Sequence, residues 1–431
     1  SHTIGASQFG LRHRLVSHRG CCLPLQHTRS SSRVASGGPG KGATASRPLQ
    51  PFELERFFAK YEFCTKHLLC CSDCEPLRLR ELLDVADEDS LERWDALSLG
   101  YTESLGMPIL RQEIASMYGT VEQEEVLCGA PEELIYLSML AMLKPGDSVI
   151  VTFPGYQSLY EVAKSIGCNV HFWEPEPNSA GELEFQVFGS NSSLEALMSG
   201  QEVKLVVVNF PHNPTGKTLS SADWDRTIAL CEGSNATLFS DEMYRLLEHR
   251  PEDRLCSAVD AYPKGISLSG LSKTVGLPGL RSGWLAAHDP EFLARVAELK
   301  DYTTICASAP SEVLSLMGIR ARESLVSRSM ELIQHNLTAI ESLFARHSEA
   351  LLWDPPAAGS TAFPRFKGDV DIDALCQMLV EDCGVLILPG SVYGSDLCKQ
   401  EARFRLGLGR SGLEEGLALF GQFLDQQPLL K

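Results

Sequence analysis

Apolar residues recur at two different spacings along this chain, and the alternation between them outlines its elements. Over residues 107–118 and 132–143 they fall three and four positions apart, the period of a helix face. Short β-branched runs at 148–152, 203–209, 236–240 and 265–269 read as strands. Helical patterns at 156–166, 221–232 and 256–261 lie between them. This alternation predicts βαβ units and a mostly parallel sheet covered by helices on both faces, so the fold class is α/β. A long helical pattern then runs from 309 to about 346. After it come a short strand at 360–366, a helix at 371–382, strands at 385–388 and 402–408, and a closing helix from 411. These predict a smaller α+β domain. The expected layout is an N-terminal segment (1–50), the first part of the small domain (51–100), a large domain (101–310) and the C-terminal small domain (311–431).

Composition narrows the function. The 431 residues carry 38 Lys and Arg against 56 Asp and Glu, a formal charge of −18. A nucleic-acid binder needs a basic face to displace counterions, so that class is excluded. The longest apolar stretches, such as 134–143, stop well short of the roughly 20 residues that span a bilayer, and a soluble protein is expected. Fourteen cysteines in so long a chain read as reduced packing residues. The dense group Cys64, Cys70, Cys71 and Cys74 lacks the second half that a zinc site requires, so no metal is expected.

Residues 1–50 contain seven basic residues and no Asp or Glu, and end in a Gly- and Ser-rich stretch. That is the composition of an organelle transit peptide, or equally of a disordered tail. The first implies a mitochondrial or plastid destination, the second a cytoplasmic one.

Four loops carry candidate chemistry, each placed where an open α/β sheet gathers ligands. Asn209-Phe-Pro-His-Asn-Pro-Thr-Gly216 follows a strand, and the Asn213 amide can donate to an oxygen on a ring or cap a turn. In Ser240-Asp-Glu-Met-Tyr244, Asp241 can keep a pyridine-type nitrogen protonated, with Tyr244 in reach of the same ligand. The alternative is that Asp241 and Glu242 only cap the next turn. In Ser269-Gly-Leu-Ser-Lys-Thr-Val-Gly-Leu-Pro-Gly-Leu-Arg281, Lys273 sits among small and apolar residues that would lower its pKa, and Arg281 can meet a phosphate bidentately. Cys128-Gly-Ala-Pro-Glu-Glu133 opens a helix, where free N–H groups favour an anion.

Together, over about residues 60–425, these motifs resemble the fold-type I pyridoxal 5′-phosphate (PLP) enzymes, specifically the class I/II aminotransferases. The resemblance implies a PLP-dependent transferase-like large domain and gives each residue a role. Lys273 is similar to the Schiff-base lysine, and Asp241 to the partner of the pyridinium nitrogen. Asn213 and Tyr244 match donors to the ring's 3′-oxygen, and Tyr156 the aromatic residue that stacks on the ring. Arg281, Ser272 and the Ala130 amide match phosphate ligands. Tyr101 matches a tyrosine that reaches the neighbouring subunit's phosphate, which implies a homodimer. Arg405 matches the clamp for the substrate α-carboxylate. Strand alternation puts Arg403 on the same face, so spacing does not choose between the two. Pro131, which has no N–H, and Gly270, where many members have a serine, depart from the family pattern and suggest a looser phosphate cup.

The implied reaction moves an amino group from an amino acid to a 2-oxo acid through Lys273. The alternative is a PLP-dependent lyase or synthase that starts from the same α-deprotonation and proceeds by elimination or cyclisation. A PLP-binding regulator would need a DNA-binding domain ahead of residue 51, and no helical periodicity occurs there.

Overall fold

The computed structural model describes residues 47–179 and 181–427. The transit-like or disordered character expected of the N-terminus falls almost wholly on residues 1–46, outside the described residues.

A seven-stranded sheet organises the described residues. Its strands are β1 (Val126–Gly129), β2 (Ser148–Thr152), β3 (Asn169–Trp173), β4 (Val203–Asn209), β5 (Thr237–Asp241), β6 (Gly265–Gly270) and β7 (Gly283–Ala287). In space they run β1-β7-β6-β5-β4-β2-β3. All are parallel except β7, which lies antiparallel to β1 and β6. The expected α/β class is the observed one. Every residue of β4 but Lys204 is buried, as a central parallel strand covered on both faces requires. The crossover helices have defined ends. Ser220 Oγ accepts the Asp223 N–H to cap Ser221–Ser234, and Asn235 ends that helix in the left-handed region at φ 58°.

Chain order reverses beside β4, and the carboxyl ends of β4, β5 and β6 open onto one cleft. Nearby in the sheet the register places three glycines side by side, Gly129, Gly283 and Gly270. A Cβ on Gly283 would lie 2.6 Å from Ser269 O and 2.7 Å from Pro131 Cγ, and one on Gly270 would lie 3.0 Å from Ser282 O. Backbone packs there at a distance only glycine allows. This gives Gly270 and Pro131, the two departures from the family pattern, a shared structural reason: Pro131 sits on the glycine row.

The expected 51–100 unit divides between two cores. Residues 53–74 join the C-terminal part: His67–Leu68 pairs in parallel with Val385–Leu386, and Leu69 and Cys74 pack with Ile333, Phe404 and Phe420. Leu82 instead packs beside the sheet with Leu110, Trp284 and Met317. Helix Glu53–Tyr61 places Leu54, Phe57, Phe58 and Tyr61 on one stripe against Phe363, Leu388 and Tyr393. Nine residues are too few to hold a helix alone, so this stripe fixes it.

Several expected elements differ in detail. The long 309–346 helix is two, Ala309–Arg320 and Arg322–Arg346. Ala321 leaves helical geometry at ψ 6°, beside Arg320, which is tied to Asp87, Asp89 and Glu113. The 360–366 strand is interrupted around Pro364, leaving Thr361–Ala362 and Arg365–Phe366 in different sheets. The 385–388 strand likewise divides into Val385–Leu386 and Leu388–Pro389. The 256–261 helix shortens to Ala258–Ala261. Cys70, Cys71 and Cys74 are buried and Cys64 is exposed. Among the described residues no group of acidic, His or Cys side chains is placed to hold a metal, and no helix is long and apolar enough to cross a membrane.

Candidate active site

A cavity of about 590 Å³ opens where β4, β5 and β6 end. Tyr156, Asn213, Asp241, Tyr244, Ser272, Lys273, Arg281 and Arg405 line it, so eight residues singled out in sequence meet in one space. Two others do not line it. Ala130 lies just behind the wall as N-cap of helix Pro131–Met142, next to lining residue Pro131. Tyr101 is 92% exposed and lies outside the cavity.

Asp241 ends β5 at 5% exposure. Burial pushes its carboxyl up to about 7, while the Met243 N–H, 3.1 Å from Oδ1, and the charge of Lys273 pull the other way. Such a carboxyl is short of positive charge. Asn209, also on the wall, ties the two strand ends together: its Nδ2 donates to Asp241 O at 2.9 Å, and its Oδ1 accepts the Asn213 N–H at 2.9 Å. Burial lowers the Lys273 pKa, opposed chiefly by nearby Asp73. Its Nζ donates to Ser72 Oγ at 3.0 Å. Tyr244, raised in pKa by burial, is 4% exposed and has Ser72 nearby, yet its hydroxyl completes no hydrogen bond of ordinary geometry. A buried hydroxyl left so is costly, and this one faces an open space.

Arg405 resolves the competition with Arg403 in position. Its guanidinium donates to Asn213 Oδ1 at 3.2 Å, Tyr393 Oη at 3.0 Å and, through Nε and Nη2, Cys70 O at 3.1 and 2.8 Å. Since Asn213 Oδ1 accepts from Arg405, its Nδ2 is the group left to face a ligand. Arg403 is turned away into protein, bonded to Glu401 and Phe363 O and 3.7 Å from Asp354. Arg281 stands at the exposed rim in the left-handed region at φ 51°, and among the described residues its guanidinium bonds only to Pro278 O within its own turn.

Part of the wall was not anticipated from sequence. Helix Glu53–Tyr61 and the segment after it contribute Phe52, Glu55, Phe58, Glu62, Ser72 and Asp73. The periodic stripe Leu54-Phe57-Phe58-Tyr61 was the available sign of that helix, but nothing local says that it reaches the cleft. Phe52 lies 5.1 Å from the Tyr156 ring, centroid to centroid. Glu132 borders Tyr156, and burial raises its pKa.

The residues fit a phosphorylated pyridine aldehyde. A buried carboxyl is available to a ring nitrogen, an unpartnered phenol and an amide N–H to a ring oxygen, and a desolvated amine to the aldehyde. A guanidinium at the rim and the buried Ser272 are available to the phosphate.

Comparison with known proteins agrees. The family model described as aminotransferase class I and II matches residues 94–417. Capreomycidine synthase of Streptomyces vinaceus is 30% identical over 395 residues, which cover 90% of this chain and 96% of that protein. An aspartate aminotransferase of Sulfurisphaera tokodaii is 26% identical over 341 residues, covering 76% of this chain and 82% of that one. The crystal structure of a PLP-dependent aminotransferase from Streptococcus suis superposes with a TM-score of 0.78 at 26% identity, covering 88% of this chain and 99% of that one.

Proposed function

The chain belongs to the class I and II aminotransferase family, and from that premise we propose how its own residues hold PLP and transfer an amino group from an amino acid to a 2-oxo acid. The single observation that carries the assignment of roles is the meeting of Lys273, Asp241, Asn213, Tyr244 and Arg405 in one cavity. When bound, PLP supplies an electron sink that makes the proton on a substrate's α-carbon removable. Asp241 holds positive charge at the ring nitrogen. Tyr244 Oη and Asn213 Nδ2 donate to the ring oxygen, and Tyr156 keeps the ring plane fixed. Ser272, Arg281 and the Ala130 N–H bind the phosphate.

Arg405 orients the α-carboxylate, which sets the α-hydrogen facing Lys273 Nζ. Burial lowers that amine's pKa, against the pull of Asp73, and so favours the neutral form that can accept a proton. Ser72 Oγ, 3.0 Å away, steadies it once protonated. With the cofactor bound, the same amine would be the group placed to hold that proton and hand it on, as a two-stage transfer requires. The test is a screen of amino acids against the PLP-loaded protein, reading conversion to the pyridoxamine form and its reversal by 2-oxo acids. Ammonia release without an acceptor would contradict amino transfer.

A second reading has its own support. The 30% identity to capreomycidine synthase spans 96% of that protein, and a synthase needs the same α-deprotonation before elimination or cyclisation. A cyclised product formed without a 2-oxo acid distinguishes it.

The working unit in this proposal is a homodimer. Tyr101 is 92% and Tyr302 91% exposed, with Leu99 and Ile305 also exposed. The Thr102 Oγ1 bond to Ala307 O, 3.1 Å, ties the two loops that carry these side chains. An apolar group of this kind on the surface is the mark of an interface.

A further inference from the structure

Helix Glu53–Tyr61 presents a second feature to the cavity. Glu55, Phe58 and Glu62 are spaced by three and four residues and all line it. Glu62, the C-cap, keeps helical geometry at φ −59° and ψ −43°, so the three share one face. Phe58 lies against the Arg405 guanidinium, 5.7 Å from ring centroid to Cζ. Two carboxylates therefore stand on the cavity side of this helix, one on each side of Phe58 along it.

Glu132, also on the wall, lies against Tyr156 and Ser158, and the remaining charges are spoken for. Asp73 takes Arg410 in a double hydrogen bond at 3.0 and 2.8 Å. Asp241 faces the ring nitrogen, Arg281 the phosphate and Arg405 the carboxylate. The side chains of Glu55 and Glu62 make no ion pair or hydrogen bond among the described residues. Glu62 is placed at a cost: it stands at the negative end of a helix, half-buried, with Asp73 and Glu55 both near. Burial and those neighbours raise its pKa, against the opposing charges of Arg410 and Lys273. Nor is this merely an acidic patch of surface, because Phe58, on the same helix face, packs against the Arg405 guanidinium inside the cavity.

We propose that the amino-acid substrate carries a cationic side chain, an amine or guanidine, held by Glu55 and Glu62 while Arg405 holds its α-carboxylate. This rests on the reading of the cavity as a PLP-dependent amino-acid site. A side-chain carboxylate finds no free cation here and meets two unpaired acids, so dicarboxylic substrates are disfavoured.

The PLP-loaded full chain is titrated with L-arginine, with L-citrulline, which has nearly the same shape but no charge, and with L-glutamate. Half-saturation is read from the change in the cofactor's visible absorbance, and amino transfer separately from the pyridoxamine form. L-Arginine should half-saturate at least about tenfold below L-citrulline, with L-glutamate weakest. Glu62→Gln should remove most of that preference, and Glu55→Gln with Glu62→Gln should abolish it. L-Citrulline or L-glutamate binding as tightly as L-arginine to the unaltered protein overturns the proposal. So does a Glu62→Gln protein that weakens L-arginine and L-citrulline equally. The charge order without pyridoxamine formation supports the proposal and refutes amino transfer. Pyridoxamine formation without the charge order does the reverse.

Discussion

Lys273 and Ser72 lie 201 positions apart, yet Lys273 Nζ donates to Ser72 Oγ at 3.0 Å. The lysine comes from the loop after β6, and the serine from the segment that joins the C-terminal core. Ser360 Oγ donates to Ser72 O at 2.6 Å, which anchors that segment. The contact couples the reactive amine to the wall that carries Glu62 and Asp73.

Ser72→Ala removes an acceptor that favours the protonated amine. The Lys273 pKa should fall further. The acid limb of the rate of cofactor capture against pH should move to lower pH in the variant. A limb that stays in place would remove Ser72 from this role.

Asp241 predicts a pH dependence with a definite sign. Its carboxyl is held at about 7 in the folded protein against an ordinary 3.8. Between those values the folded chain keeps a proton that the unfolded chain has lost, so the stability tied to this group is present below about 3.8 and lost as pH rises towards 7. The Tm of cofactor-free protein, less that of Asp241→Asn, should therefore fall across that interval. PLP should restore more stability above pH 7 to the unaltered protein than to Asp241→Asn, because a cationic ring nitrogen relieves the buried carboxylate. A pH-independent difference would contradict the assignment.

The two arginines of the last strand should separate by readout. Arg405→Lys keeps the charge but loses the planar fork, and should raise the amino-acid KM by about ten- to a hundredfold. Arg403 is 1% exposed and bonded to Glu401. Arg403→Met should cost about 3–5 kcal/mol of stability, seen as a lower Tm, with KM little changed. The opposite pattern would make Arg403 the clamp.

Assembly is tested at the exposed tyrosines. The unaltered protein should sediment as a dimer, and Tyr302→Glu should shift it towards monomer with loss of activity. An active monomer would show that the cavity is complete without a second copy.

How much could be read in advance depended on what kind of signal each part carries. β2, β4, β5 and β6 announce themselves because central parallel strands need unbroken apolar runs, and the loops after them are marked by Pro and Gly at turns. Asn213, Asp241 and Lys273 follow directly from that. The edge strands β1 and β3, and the antiparallel β7 between β1 and β6, were harder. β3 is mostly half-buried and mixed in character, and β7 reads as a continuation of the glycine-rich loop. Ser72, Glu55 and Glu62 carried no local mark, since an acid on a short amphipathic helix looks like ordinary solvated surface. Only the packing of Leu54, Phe57 and Phe58 on the C-terminal core turns that helix towards the cleft. Arg405 and Arg403 were equivalent by alternation, and only their partners, Asn213 for one and Glu401 for the other, tell them apart.

The most direct measurement of the central claim is chemical trapping. PLP-loaded protein is reduced with borohydride, digested and mapped by mass spectrometry. The pyridoxyl label should appear on the peptide containing Lys273 and be absent from Lys273→Ala. A label on a different lysine, or none at all, would contradict the account.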